Sequence, residues 1–324
     1  MSPLLRLPAL AVMLLVVGAA YAQAQNYPNR PIRLITPFPP GATTDALSRT
    51  IGQKMQENWG QNVLVDNRAG ATGMIGTDLA AKSPPDGYTL VNVISTHVLH
   101  KHLFKKVPFD PIKDFDPVIL LARVTNVLVV HPSVPAHNVK EFIAFAKARK
   151  GQLVYATSGT GSSNHLSAEM FKQAAGIDME HIPYKGGAPA VTDLIGGQVP
   201  IMMASLLTGS PHARAGKIRA LVVTSAKRQN VLPDVPTLQE SGFPGLVADE
   251  WWAILVPAGT PKDITNKLNA EIIRIFDLPD VKKRIADLGI EYIGSTPDEL
   301  GKFMRDEAVK WEKVIKTAGI KPEG

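Results

Sequence analysis

The chain contains no cysteine among its 324 residues. That excludes a disulfide framework and a lipid anchor carried on a cysteine. Low-complexity tracts and internal repeats are also missing. After the N-terminal apolar run there is no second stretch long enough to span a membrane. A Gly-x-Ser-x-Gly nucleophile elbow is absent too, since Gly161-Ser162-Ser163-Asn164 lacks the second glycine. Finally, no Lys or Arg lies between Gly151 and Phe171. An anion held by that stretch would be held by dipoles and hydroxyls alone.

The formal net charge is +6, yet Lys and Arg are interspersed with Asp and Glu. That pattern is a solvated face and predicts no nucleic-acid partner. Residues 1–22 read as a secretory signal. Arg6 precedes a nearly unbroken apolar run from Leu7 to Ala20, and Ala20-Tyr21-Ala22 is a small-x-small cleavage site. Ala22-Gln23-Ala24 is a second such site, so the expected mature N-terminus is Gln23 or Gln25. The run is shorter than the roughly 20 residues of a membrane anchor. The expected product is exported to the periplasm.

The stretch Tyr155 to Leu166 reads as strand, polar loop and helix. Gly159 and Gly161 break an apolar run, and helical spacing begins at Leu166 and Met170. Ser162 or Ser163 is placed to cap that helix, whose N–H groups form a ready anion site. The run from Pro37 to Asp45 repeats the arrangement. There Thr43 or Thr44 is the expected cap and Asp45 falls in the first turn, chiefly as a structural cap, with a ligand contact as the alternative. Further strand–loop–helix units follow, which predicts largely parallel sheets with right-handed crossovers.

Two long extended runs, Val118 to Val130 and Asp249 to Pro257, are long enough to carry the chain between two domains. The expected division is residues 23–127 plus 251–324 for one lobe and 128–250 for the other. Ligands of open α/β sheets bind beyond the carboxyl ends of strands, so the polar loops are expected to face an interdomain cleft. Such a cleft suits capture by hinge closure. His97, His100 and His102 read as surface histidines rather than a metal site, because no carboxylate or cysteine completes the set. Gly70, Gly73 and Gly76 have the wrong spacing for a dinucleotide fingerprint. No cofactor or metal is expected, and a broad apolar face near the C-terminus (Leu300, Phe303, Met304, Trp311, Val314, Ile315) reads as core.

Several motifs in order then resemble one family. They are Tyr27-Pro28, Pro37-Phe38-Pro39-Pro40-Gly41, Val65-Asp66-Asn67-Arg68-Ala69-Gly70-Ala71, Pro85-Asp86-Gly87-Tyr88-Thr89-Leu90, Gly159-Thr160-Gly161-Ser162, Pro183-Tyr184-Lys185-Gly186 and Pro257-Ala258-Gly259-Thr260-Pro261. The chain resembles the solute receptors of tripartite tricarboxylate transporters, the Bug receptors, over essentially its whole mature length. The resemblance implies a two-lobed type II periplasmic-binding-protein fold, two Rossmann-like α/β domains joined by two extended hinge strands. It also implies a small carboxylate ligand held by neutral groups and bridging waters, and docking on a two-subunit membrane permease. One departure is Ala42, where the family usually has a second glycine; a methyl group there narrows the pocket or shifts a backbone contact.

On this reading the first loop supplies Phe38, Pro40, Gly41, Ala42, Thr43 and Thr44, and Ser95 and Thr96 follow the third strand. The second loop supplies Ser158, Gly159, Gly161, Ser162, Ser163, Asn164 and His165. Gly186, Ser205 and Asp249 complete the candidate contacts. Ser162 is expected to offer its hydroxyl to a ligand carboxylate, with a helix cap as the alternative. A monomer is expected. Two other functions use some of the same residues: a ligand sensor acting on a membrane signalling partner, and a serine hydrolase built on Ser162 or Ser163 with His165. The latter pair is too close on one helix start for nucleophile–base geometry.

Overall fold

The computed structural model describes residues 27–287 and 289–322; the expected signal and its cleavage sites lie outside them. The first lobe opens with β1 (Ile32–Thr36), α1 (Thr43–Trp59), β2 (Val63–Asn67), α2 (Met74–Ala81), β3 (Thr89–Ile94), a short α3 (His100–Leu103) and β4 (Phe115–Val124). The chain crosses at Thr125 into β5 (Asn126–Val130), α4 (Val139–Ala148), β6 (Val154–Thr157), α5 (Ser163–Ala175), β7 (Glu180–Pro183), α6 (Gly187–Ile195), β8 (Ile201–Ser205), α7 (Leu206–Arg214) and β9 (Arg219–Val223). It returns through β10 (Glu250–Pro257) and ends with α8 (Lys262–Asp277), α9 (Pro279–Asp287), β11 (Glu291–Tyr292) and α10 (Pro297–Ala318).

Two separate sheets result. The six-stranded sheet has the order β11-β4-β10-β3-β1-β2, and the five-stranded sheet the order β7-β6-β8-β5-β9. Asn126 pairs with Ser205 in the second sheet, and Glu250 with Val124 in the first. Sheet membership changes at Thr125 on the way out and just before Glu250 on the way back. The expectation of largely parallel sheets is corrected. β1–β2, β1–β3, β6–β7 and β6–β8 are parallel, whereas β10 runs antiparallel to β3 and β4, β5 to β8 and β9, and β11 to β4. A strand entering a lobe from the other one runs against the strands of the βαβ units and is inserted among them. The two crossings are therefore antiparallel members of the sheets, as is the short β11.

The crossing strands are apolar on both faces because both are covered. All of β5 is buried, and β10 is buried from Trp251 to Pro257. The last helix joins the lobes. Trp311, Val314 and Ile315 of α10 share a core cluster with Leu166 and Met170 of α5, and Gln173 Nε2 donates to the Val314 carbonyl at 3.1 Å. Thr296 and Glu299 close a capping box at the start of α10, next to Pro297. Short α7, which contains Pro211, and α9 escape the sequence reading.

Candidate functional site

Alternation along β10 places Glu250 and Trp252 on one face and Trp251 on the other. Trp251 turns to α10, where its indole N–H donates to Glu307. Trp252 reaches the start of α1 and donates from Nε1 to Thr44 Oγ1 at 2.9 Å. Glu250 is half-buried and lies by the start of α5, where the Ser163 side chain acts on its carboxyl. One strand face thus runs beneath both polar loops and forms the floor between the lobes.

The first loop is held by its own charge. Asp45 Oδ2 accepts from Gly41 N at 3.0 Å and from Arg49 Nε at 2.9 Å, and Oδ1 accepts from Asn67 Nδ2 at 3.0 Å. Burial acts to raise this carboxyl, but Arg49, Gly41 and Asn67 together hold it below the ordinary carboxylate range. The cap expected from Thr43 or Thr44 is corrected: Ala42 is the N-cap residue and makes no side-chain bond. Thr44 instead serves Trp252. Asn67 also ties down Phe38 through its carbonyl, at 3.0 Å, while Pro40 is exposed and Ala42 and Thr43 are half-buried.

The second loop is held by neutral groups. Ser162 caps α5 by accepting from His165 N at 3.3 Å, and its own proton goes to the Gly159 carbonyl at 2.6 Å. That corrects the expectation of a free Ser162 hydroxyl, since a serine has one proton to donate. Ser158 spends its proton on Asn164 Oδ1, and Asn164 Nδ2 donates to Asn126 Oδ1 at 3.2 Å. His165 Nδ1 accepts from Gly161 N at 3.0 Å, and its ring stacks on His181 at 3.9 Å between centroids. Burial pushes both histidines down to about 4, aided by Lys172 for His165 and by His165 for His181. Both rings are neutral at pH 7. Gly186 stands behind the loop, donating its N–H to the Ser158 carbonyl at 3.0 Å. The first-turn N–H groups of Ser163 and Asn164 have no acceptor within their own helix. Gly161 holds φ +73°, and a Cβ there would sit 3.3 Å from Leu103 of the opposite lobe.

Beside these loops, three buried oxygens have no hydrogen-bond partner: Thr96 Oγ1, Ser205 Oγ and Asp249 Oδ2. Thr96 and its neighbour Ser95 are buried just past β3. Ser205 ends β8. Each of those strands pairs with a crossing strand, Ile94 with Trp252 and Ser205 with Asn126. Asp249 sits in the second crossing, with Thr224 Oγ1 3.3 Å from Oδ1 and Arg123 Nε 4.0 Å from Oδ2. Burial raises its carboxyl to about 6 against the pull of Thr125, Arg123 and Thr224. Unpartnered buried polar atoms are costly; Asp78 Oδ1, Asn92 Oδ1, His97 Nδ1, His100 Nδ1 and Tyr292 OH of the first lobe are others. A groove of about 950 Å³ on the first lobe, between Asp116, Gly259, Asn269 and Thr296, lies away from both loops. Its polar groups are already served: Asn269 donates to the Val118 and Ser295 carbonyls and Asp116 accepts from Gly259 N.

The structure changes two further readings. His97 and His100 are not surface residues; they are 1% and 2% exposed and pack among Phe104, Phe109 and Phe115. Their Nε2–H groups donate to the Pro111 and Thr72 carbonyls at 2.8 and 3.1 Å. The hydrolase pairing also fails on geometry, because the imidazole of His165 faces Gly161 N and Ser162 faces Gly159. As for the Gly70–Gly76 run, Gly76 is there for packing: a Cβ would lie 2.9 Å from the Arg68 carbonyl. Glu250, Trp252 and Asn126 are candidate site residues the sequence reading missed. The only signal was an acidic pair, Asp249-Glu250, at the head of an apolar run.

A family model described as tripartite tricarboxylate transporter family receptor matches residues 47–320. Protein BugT of Bordetella pertussis is 39% identical over 305 residues, covering 94% of each chain. Among solved structures, Rpa4515 of R. palustris with adipate is 37% identical with a TM-score of 0.78, covering 92% of this chain and all of that one. MatC from Rhodopseudomonas palustris with bound malate is 33% identical with a TM-score of 0.74, covering 89% of this chain and all of that one. Receptors of this kind are periplasmic solute-binding proteins and not enzymes, and among the described residues no helix is long and apolar enough to cross a membrane. With its two sheets, two crossings and paired polar loops, the chain belongs to the tripartite tricarboxylate transporter receptor family and has its two-lobed periplasmic-binding-protein fold.

Proposed function

We propose that the protein captures a small carboxylate between its lobes in the periplasm and delivers it to a two-subunit membrane permease, acting as a monomer exported by cleavage after Ala22 or Ala24. The observation that carries the reading is the pair of buried, unpartnered hydroxyls of Thr96 and Ser205, one from each lobe, beside two helix N-termini. Hydroxyls and helix N–H groups are donors that match a carboxylate. The free donors are fewer than the sequence suggests, since Ser158, Ser162, Gly41 and Gly161 are spent within their loops. The hydroxyls of Thr43, Thr44, Ser95, Thr96 and Ser205 and the first turn of α5 remain. The relatives solved with adipate and malate make those two acids the first probes.

A thermal-shift screen of mono-, di- and tricarboxylates and aromatic acids tests this. A cognate acid at about 100 times its Kd adds roughly 2.7 kcal/mol. Scattering with that acid should show compaction. A flat response to every acid overturns the carboxylate reading.

A further inference from the structure

One hydroxyl beside the cleft differs from its neighbours in what it receives. Thr44 Oγ1 accepts from Trp252 Nε1 at 2.9 Å. An indole N–H can only donate, so the direction of that bond is fixed and one lone pair of the oxygen is filled. The Thr44 proton has no acceptor among the described residues. Asp45, the next residue, has its carboxylate on Gly41 N, Asn67 and Arg49. The Thr44 carbonyl is pinned as well, by Ser48 Oγ at 2.8 Å and Asn92 Nδ2 at 3.3 Å. Both residues of the pair are buried, Thr44 at 4% exposure and Trp252 at 3%. Ser158 and Ser162, by contrast, send their protons back into their own loop.

We propose that Trp252 is a positioning residue of the cleft: it holds the Thr44 hydroxyl so that its proton is left for an oxygen of the bound carboxylate. This rests on the carboxylate reading above. A β-branched side chain has few χ1 rotamers, and the indole bond selects among them. Hydrogen bonds in a chain also polarise one another in a low-dielectric interior, so a hydroxyl that accepts from an N–H is a stronger donor. Trp252 lies 208 residues from Thr44, on the strand that returns from the second lobe. A donor of the first loop is therefore set by the second crossing. The indole acts through Thr44 and needs no contact with the ligand.

A double-mutant cycle of Thr44→Val and Trp252→Phe, read by calorimetric titration with succinate, L-malate and adipate, tests this. A hydrogen bond to a charged group corresponds to about ten- to a hundredfold in Kd, so Thr44→Val should weaken binding by about tenfold or more. Thr44→Ser keeps the hydroxyl and should bind within about threefold of wild type. Trp252→Phe should weaken binding about three- to tenfold in the wild-type background, and less than about twofold when Thr44 is already Val. A bond that is merely structural would lower the stability of both single variants and leave Kd near wild type. Equal losses from Trp252→Phe in the two backgrounds, or a Thr44→Val Kd within about threefold of wild type, overturn the positioning role and leave the carboxylate reading standing. Should either variant fail to fold, the Trp252 indole N–H resonance of wild type, one of four, decides. It should move downfield on saturation with acid, because a Thr44 oxygen that donates its proton accepts more strongly. An unmoved resonance overturns the positioning role. No binding of any of the three acids to wild type overturns both.

Discussion

The two strand–loop–helix units that face each other across the seam look alike in sequence and are built on opposite electrostatic plans. In the first lobe a carboxylate of the loop itself, Asp45, collects the Gly41 N–H, Asn67 and Arg49. In the second lobe serines, an asparagine and two neutral histidines hold the turn. A loop that carries its own anion has used the field of its helix. A loop held by neutral groups leaves that field for something that comes and goes.

The largest effect should come from removing the first loop's anchor. Asp45→Ala strands the Gly41 N–H and Asn67 and frees Arg49, and should cost about 2–3 kcal/mol by chemical denaturation. The sign with pH follows from its lowered carboxyl. A depressed carboxyl contributes stability that is present above its unfolded value and lost as pH falls through its lower folded value. The variant should therefore lose less stability than wild type on acidification below about pH 4. Equal acid sensitivity in the two proteins would show that Asp45 carries no such charge term.

The neutral loop should respond more mildly. Ser162→Ala removes the cap and the bond to Gly159, at a cost of about 1 kcal/mol. Because the hydroxyl proton is spent inside the loop, Kd for the cognate acid should change less than about threefold. A loss of tenfold or more, or about 1.4 kcal/mol, would return Ser162 to the ligand's contacts. The smallest effect is at Ala42. Its backbone already has the extended conformation of an N-cap, φ −69° and ψ 161°. Ala42→Ser should add the missing bond and stabilise by about 0.5–1 kcal/mol. No gain would mean that Asp45 already satisfies the start of α1.

Much of the site was legible before the fold. The apolar runs, the glycine breaks and the cap at Ser162 are local properties of the chain, and local sequence encodes them directly. The two loops and their elements appear close to where periodicity placed them, as at α5 and β6. The family motifs are also local, and they led to the receptor family that the relatives bear out.

Other features belong to the tertiary structure. The burial of His97 and His100 depends on Phe109 and Phe115, which follow them in the chain and fold back over them. The antiparallel direction of β5 and β10 follows from the chain having to leave one lobe and return. The use of the Ser162 proton was decided by how close the Gly159 carbonyl came, at 2.6 Å. Glu250 and Trp252 became floor residues only when strand pairing fixed which face of β10 looks to the loops. The sequence by itself determined where most of the helices and strands lie, because capping, glycine breaks and apolar period are short-range. Tertiary structure alone decided which hydroxyls remain free. Those depend on contacts between residues far apart in the chain, as Thr44 and Trp252 are.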